Sequence, residues 1–532
     1  MKKNIIRLLM LTLIMSSLLI LSDFLFSLYK ESFYFKLSNK NILPALGYSL
    51  LTFLIASRVW RNVAIVTIFF GSLLQFWFYQ YFGDYFQAIA FIQFFNNLYE
   101  VYDSVLPVIL SFLPPLTVII FFSSVTVFIS NRYYKDVVLF KFSSYLIVIA
   151  LLANLLQTHI YLEGIGNSGK LSHWRSKALY PNKKELSVFN FHKSLNYLLV
   201  GIIPKKIFGS SFNFPVLDPP EKVSGTENNI IFVLGESLRY DRLSLFGYNK
   251  ETTPKLDSLA NTGNIDFKAI YSGGTMTKTS SAVILNRIQY PGMEQIVNKG
   301  NNLFKLAKDN GYNTAFISAQ SGKSMSILES LIGMKNVDFY IHRDKFDKSN
   351  SLSTGCDEDI FPYLESIDLN KKNFIVIQQR GSHSPYDKYT EKFNLFNDKY
   401  DNTVLYTDYF LSRVYRYIEK NSKLPAYFIF ASDHGELLGE KGKNGHGWFE
   451  KEVYKIPMVS ASFNTDKNID IKSIESHFEL SNYLTELLGY ESKYERKENR
   501  TIYVNGSDLD GLAGYIKIEM KGDSVIAQEI IR

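Results

Sequence analysis

The chain has 532 residues, of which 46% are hydrophobic and 20% charged, with a single cysteine, Cys356. The charge is uneven: the first 160 residues hold 17 charged side chains and the remaining 372 hold 92. That split excludes a uniform soluble protein, a fully embedded transporter and a disordered chain. The net charge of +7 divides into +5 and +2, so the second part is close to neutral and argues against a nucleic-acid surface. One cysteine permits no intrachain disulfide and no Cys-x-x-Cys zinc site.

A bilayer core requires about 20 apolar residues in helical form. Five runs in residues 1–160 are expected to span: Leu8–Leu28, Leu43–Ala56, Val63–Phe82, Val105–Ser130 and Val137–Ile160. Asp23 interrupts the first, Lys141 sits near the start of the fifth, and Pro107, Pro114 and Pro115 are expected to kink the fourth. Lys2, Lys3 and Arg7, then Arg58 and Arg61, then Arg132 and Lys135 fall on one side of a five-span topology. That side is the cytoplasm, and everything after Ile160 is then outside. Between the third and fourth runs, the aromatic stretch Asp84–Ser104 reads as a helix lying in the outer interface. It places Asn96 and Glu100 one turn apart, where they could meet a lipid headgroup.

Residues 161–228 form a connector with a short amphipathic helix near Leu195–Ile203 and a proline-rich end at Pro219–Pro220. The pattern then changes. Short apolar runs at Asn229–Leu234, Thr314–Ser318, Phe374–Ile377 and Ala426–Ala431 alternate with helical stretches at Pro254–Ala260, Asn302–Asn310 and Thr403–Glu419. This predicts an α/β domain with a mostly parallel sheet over residues 229–532. In such domains the chemistry gathers beyond the carboxyl ends of the strands.

The strand ends carry reactive side chains. Gly235-Glu236-Ser237 comes after the first strand, Gly381-Ser382-His383 after the third, and Ser432-Asp433-His434-Gly435-Glu436 after the fourth. Glu236, His383, Asp433 and His434 therefore converge on one rim, and the flexible GEKGKNG segment could bring His446 over it. Carboxylates with imidazoles and no thiolate suit Zn²⁺, and Mn²⁺ or Mg²⁺ less well. Any one of these residues alone is more simply a helix cap or a core histidine; the convergence makes the site. His159, His173, His192, His342 and His477 read as structural. The hydroxyl-rich stretch Tyr271–Ala282 turns helical and offers a nucleophile, since a hydroxyl at a helix N-terminus gains from the dipole and free N–H groups. Spacing does not choose among Thr275, Thr277, Thr279 and Ser280.

Taken together, NNIIFVLGESLRYDRLSLFGYNKETTPKLDSLA, AQSGK at Ala319–Lys323, GSHSP at Gly381–Pro385, YDNTVLYTDYFL at Tyr400–Leu411, ASDHGE at Ala431–Glu436 and GHG at Gly445–Gly447 resemble a known family. They are similar to the phosphoethanolamine transferases that modify lipid A, including those conferring colistin (polymyxin) resistance, in the sulfatase-like branch of the alkaline phosphatase superfamily. The resemblance implies Glu236, Thr277, Asp433 and His434 as metal ligands, with Thr277 the nucleophile. It implies His383 and His446 as phosphate or second-zinc ligands, Lys323 as a phosphate contact, and Asn96 and Glu100 as headgroup contacts. The implied reaction moves phosphoethanolamine from phosphatidylethanolamine, through a threonine-linked intermediate, to lipid A or another cell-envelope glycan. The implied location is the bacterial inner membrane, with the catalytic domain in the periplasm. The chain departs from the family in having no disulfides, in carrying Gly273 where a cysteine flanks the nucleophile loop, and in keeping only part of the headgroup pattern. The same motifs also admit a phosphoglycerol transferase of the lipoteichoic-acid-synthase type, or a non-catalytic membrane-anchored binding protein.

Overall fold

A computed structural model describes residues 2–88, 90–91, 106–134, 143–166, 181–208, 217–292, 297, 299–347, 357–386, 393–467, 469–492, 494–509, 511 and 513–531. The chain divides into two units. The first comprises Met1–Gly209 with Leu438–Asn444, and the second Ser210–Leu437 with Gly445–Arg532.

In the first unit, helices occupy Lys2–Tyr29, Asn39–Phe53, Arg58–Phe82, Leu113–Tyr133 and Ser143–Gly166. Among the described residues, three stretches are long and apolar enough to cross a membrane: Asn4–Tyr29, Arg58–Phe82 and Ile109–Tyr133. The other two expected spans do not reach that standard among the described residues. Asn39–Phe53 has 15 residues, about 22 Å of helix against a hydrocarbon core of about 30 Å. The fifth expected run, Val137–Ile160, begins on residues 137–142, outside the described residues, and its described part includes the apolar stretch Ile147–Ile160. The prolines also act differently from expectation. Pro114 and Pro115 stand in the first turn of Leu113–Tyr133, after a tighter turn at Leu106–Phe112. There the missing N–H costs nothing, so they start the helix and do not kink it.

Asp23, the charge inside the first span, is buried and has a structural partner. Its Oδ2 accepts from the Ser187 backbone N–H (2.8 Å) and from Ser187 Oγ (3.1 Å), at the start of the helix Ser187–Tyr197. A carboxylate at a helix N-terminus is favourable there. The helix expected at Leu195–Ile203 is part of a longer helical segment: Ser187–Tyr197, a wider turn at Leu198–Ile202, and Ile203–Phe208. The expected interfacial helix falls mostly on residues 92–105, outside the described residues, as do Asn96 and Glu100.

The second unit is built on a seven-stranded sheet. In chain order its strands are β1 Asn229–Gly235, β2 Asp266–Tyr271, β3 Asn313–Ser318, β4 Phe339–His342, β5 Asn373–Gln378, β6 Ala426–Ser432 and β7 Lys455–Phe463. The spatial order is β2-β7-β6-β1-β5-β3-β4. The pairs β6-β1, β1-β5, β5-β3 and β3-β4 are parallel, and β7 runs antiparallel to both β6 and β2. Every residue of β1, β5 and β6 is buried, as expected of parallel strands covered on both faces. The main core joins Phe232, Phe316, Phe374 and Ile429 of the sheet to Leu285, Leu306, Leu480 and Leu484 of the helices. A separate antiparallel sheet is made of β8 Asn499–Asn505, β9 Tyr515–Lys521 and β10 Ser524–Ile531.

Candidate active site

The parallel strands β1 and β6 lie side by side in register, Leu234 opposite Ala431 and Gly235 opposite Ser432. Their ends therefore deliver Glu236 and Asp433-His434 to one place. The turn after β1 is tight: Ser237 sits at φ +55°, a left-handed conformation that a non-glycine residue adopts only when its surroundings hold it there. Those surroundings are visible. The Ser237 N–H donates to Asp433 Oδ1 (2.9 Å), Ser237 Oγ donates to Glu236 Oε1 (3.0 Å), and the Tyr400 hydroxyl donates to the Ser237 carbonyl (2.7 Å).

Thr277 comes from elsewhere. It is the first residue of the helix Thr277–Asn286, and Met276 before it caps nothing with its side chain. Thr277 Oγ1 lies 3.2 and 3.1 Å from the two Glu236 oxygens and 3.2 Å from His434 Nε2. His434 Nε2 is 3.6 Å from Glu236 Oε1 and 3.3 Å from Asp433 Oδ2. Glu236, Asp433 and His434 are all buried and form the group of the described residues that could hold a metal.

The donor set fits a small ion. Around a metal bonded at about 2 Å, the edges of a tetrahedron are about 3.3 Å, and the donor spacings above cluster at that length. Asp433 Oδ2 is buried and accepts no hydrogen bond of ordinary geometry among the described residues, a costly state for a polar atom unless something binds it. Burial pushes the Asp433 carboxyl up to about 6 and holds the His434 imidazole well below its usual value. Neutral His434 donates from Nδ1 to the Gly435 carbonyl (2.8 Å), which leaves the Nε2 lone pair facing Thr277 and the carboxylates.

The other two rim histidines are near but separate. The rings of His434 and His446 are 4.5 Å apart, and those of His446 and His383 are 6.2 Å apart. His446 Nδ1 lies 3.9 Å from Glu436 Oε1. Burial, with the nearby Arg380 charge, lowers His383 to about 3, so it stands as a neutral ligand or acceptor. The side chain of Lys323 lies outside the described residues. Thr275, Thr279 and Ser280, the other hydroxyls open to choice from spacing, do not reach the carboxylates: Thr279 and Ser280 donate to the Met276 carbonyl.

Three supporting residues lie outside the expected site set, though Gln320 falls within AQSGK. Gln320 Nε2 donates to Glu236 Oε2 (3.3 Å) and to the Gln379 carbonyl (3.1 Å). Tyr400 lies within a motif segment, but only the structure shows its hydroxyl beneath Ser237. Asp357 accepts from the Arg380 N–H (2.7 Å), the Gly381 N–H (3.2 Å) and Gln379 Nε2 (3.0 Å), and so shapes the loop leading to His383.

A mostly parallel sheet here brings a hydroxyl at a helix start against a carboxylate–histidine rim that could hold a metal. Comparison with known proteins agrees. The family model for sulfatases matches residues 228–490. Among curated relatives, it is 28% identical over 292 residues to the phosphoethanolamine transferase EptA of Helicobacter pylori, covering 48% of this chain and 52% of that protein. It is 25% identical over 332 residues to the Kdo(2)-lipid A phosphoethanolamine 7''-transferase of Escherichia coli K12, covering 53% and 56%. The chain thus spans about half the length of the curated relatives it matches. Its fold is that of the integral membrane lipooligosaccharide phosphoethanolamine transferase A of Neisseria meningitidis. That likeness has a TM-score of 0.60 at 20% identity and covers 92% of this chain and 97% of that one.

Proposed function

We propose that the protein is a membrane-bound phosphoethanolamine transferase, drawing on phosphatidylethanolamine and delivering to lipid A or another envelope glycan. The observation that supports it above all is the Thr277 hydroxyl, held within 3.2 Å of both Glu236 oxygens and of His434 Nε2. The names of the relatives supply the group transferred. Glu236, Asp433, His434 and Thr277 would hold Zn²⁺, whose donor preferences match two carboxylates, an imidazole and a hydroxyl. Bound there, the ion would acidify the hydroxyl and offset charge on the phosphoryl oxygens.

The chain's own residues carry the group in two steps. Thr277 Oγ attacks phosphorus, the bond from phosphorus to the glycerol oxygen breaks, and diacylglycerol leaves with a proton. An oxygen of the acceptor next attacks the same phosphorus, and the bond to Thr277 breaks. His383 and His446 flank the group in transit; the Nδ1–H of neutral His383 donates to the Ser384 carbonyl, which leaves its Nε2 as an acceptor or ligand. Lys323, Asn96 and Glu100 remain proposed contacts to the phosphate and the headgroup. The apolar helices support a location at a bacterial inner membrane, and the proposed topology puts the domain over residues 229–532 in the periplasm.

Mass spectrometry of the full-length protein incubated with phosphatidylethanolamine tests this. A phosphoethanolamine adduct on the peptide carrying Thr277, absent in Thr277→Ala, is the expected result. A glycerophosphate adduct after incubation with phosphatidylglycerol, and none with phosphatidylethanolamine, transfers the reading to a phosphoglycerol transferase. No adduct with either lipid, in protein that retains its metal, defeats the threonine mechanism.

A further inference from the structure

We infer that His477 is a positioning residue for the transfer, the brace that sets the nucleophile loop against the metal-site strand. His477 is fully buried at the start of the helix His477–Leu487. Its Nδ1 accepts the Gly273 backbone N–H at 3.0 Å, and its Nε2 donates to the Ser432 carbonyl at 2.9 Å. A backbone N–H can only donate and a carbonyl can only accept, so one neutral tautomer satisfies both. Gly273 lies four residues before Thr277. Ser432 is the residue immediately before Asp433 and His434.

These two segments have no shared ladder. The nucleophile loop leaves β2, the metal-site residues leave β6, and β7 lies between them. At this end of the sheet the connection is made by side chains: His477 spans it, and Ser272 Oγ donates to the Asp433 carbonyl beside it. The far side of the loop is fixed by Asn505, whose backbone and side-chain N–H groups both reach the Gly273 carbonyl at 2.9 Å. The separation between Thr277 Oγ1 and the Glu236–His434 pair is therefore set through the His477 ring, which touches neither the substrate nor the proposed ion.

The role rests on the proposed transferase reading, and three variants of the full-length protein in detergent test it. His477→Leu removes both bonds. His477→Asn keeps an acceptor near the Nδ1 position, and His477→Gln keeps a donor that reaches the Nε2 position. Diacylglycerol release from phosphatidylethanolamine gives kcat and KM, elemental analysis gives bound zinc, and deuterium uptake reports peptides covering 272–277. Misplacing a reacting group by about 1 Å costs about 100-fold. The Leu variant is accordingly expected to lose kcat on that scale, with KM within about twofold, zinc retained and uptake in 272–277 raised. Asn and Gln each regain part of both losses. The inference is overturned if the Leu variant keeps kcat within about twofold, or if all three variants lose activity only in step with zinc or thermal stability. A wild-type protein that releases no diacylglycerol defeats the transferase reading instead. Deuterium uptake then still decides the brace, which fails if uptake is equal in wild type and Leu variant.

Discussion

Thr277 and Gln320 show how unequal the demands on neighbouring residues are. On the proposed mechanism Thr277 makes a bond, so Thr277→Ser should keep measurable transfer whereas Thr277→Ala should abolish it. Gln320 only holds Glu236 Oε2 and the Gln379 carbonyl. Loss of such an outer partner typically costs about 10–100-fold in metal affinity or activity, and zinc titration of Gln320→Ala should fall in that range with folding unchanged. The same contrast explains which residues are legible in the sequence. Glu236, His383, Asp433, His434 and His446 are legible because their types are those of metal and phosphate ligands and they lie beyond strand ends. Gln320, Asp357 and His477 are not, because they work mainly through backbone groups, and a bond to a backbone carbonyl or N–H leaves no mark on residue type at a distance of tens or hundreds of positions.

At the level of elements, the four parallel strands expected from the sequence, which form parts of β1, β3, β5 and β6, are visible as short continuous apolar runs. β2 carries exposed Asp266 and Phe267 and partly exposed Lys268, and β10 is exposed along nearly its whole length, so neither has the pattern of a doubly covered strand; β7 is largely buried, but Pro457 and its serines interrupt the apolar run. Helix starts are legible where capping is local and less so where the cap comes from afar. The helix Pro254–Asn261 has the remote Asp408 at its N-terminus, accepting from the Lys255 N–H (3.1 Å) and Leu256 N–H (2.8 Å). Burial nonetheless pushes Asp408 up to about 7. A carboxyl raised in the folded state binds its proton more tightly there than in the unfolded chain. Its contribution is thus greatest below the unfolded value near 4 and is lost as pH rises toward 7. Thermal unfolding of Asp408→Asn, which keeps an acceptor oxygen, should show a shallower loss of stability between pH 4 and 7 than wild type. Gly273 makes a second case. A Cβ there would lie 2.4 Å from Val283 Cγ1, so Gly273→Ala should destabilise by about 1–3 kcal/mol through overpacking, read from the unfolding midpoint.

For the whole molecule, the count of spans matters less than its parity. The apolar runs suggest five spans, and among the described residues three helices meet the length and apolarity a bilayer demands. Either number puts residues after the last span on the side opposite Lys2, Lys3 and Arg7. A reporter fused after Arg532 should therefore behave as periplasmic: alkaline phosphatase active, green fluorescent protein dark. The opposite pair of signals would reverse the orientation. The run Leu43–Ala56 coincides with the helix Asn39–Phe53, which leaves Leu43 and Leu50 exposed and, at 15 residues, is shorter than a bilayer core.

The loop before Thr277 is fastened by Ser272, His477 and Asn505 through hydrogen bonds, in a chain whose only sulfhydryl is Cys356. Its maturation is therefore uncoupled from the supply of oxidant. Cells that lack thiol-oxidising machinery, or that are grown with a reductant, should accumulate the protein in full and active amount. The catalytic geometry is reached by folding alone, with no covalent step for the compartment to perform.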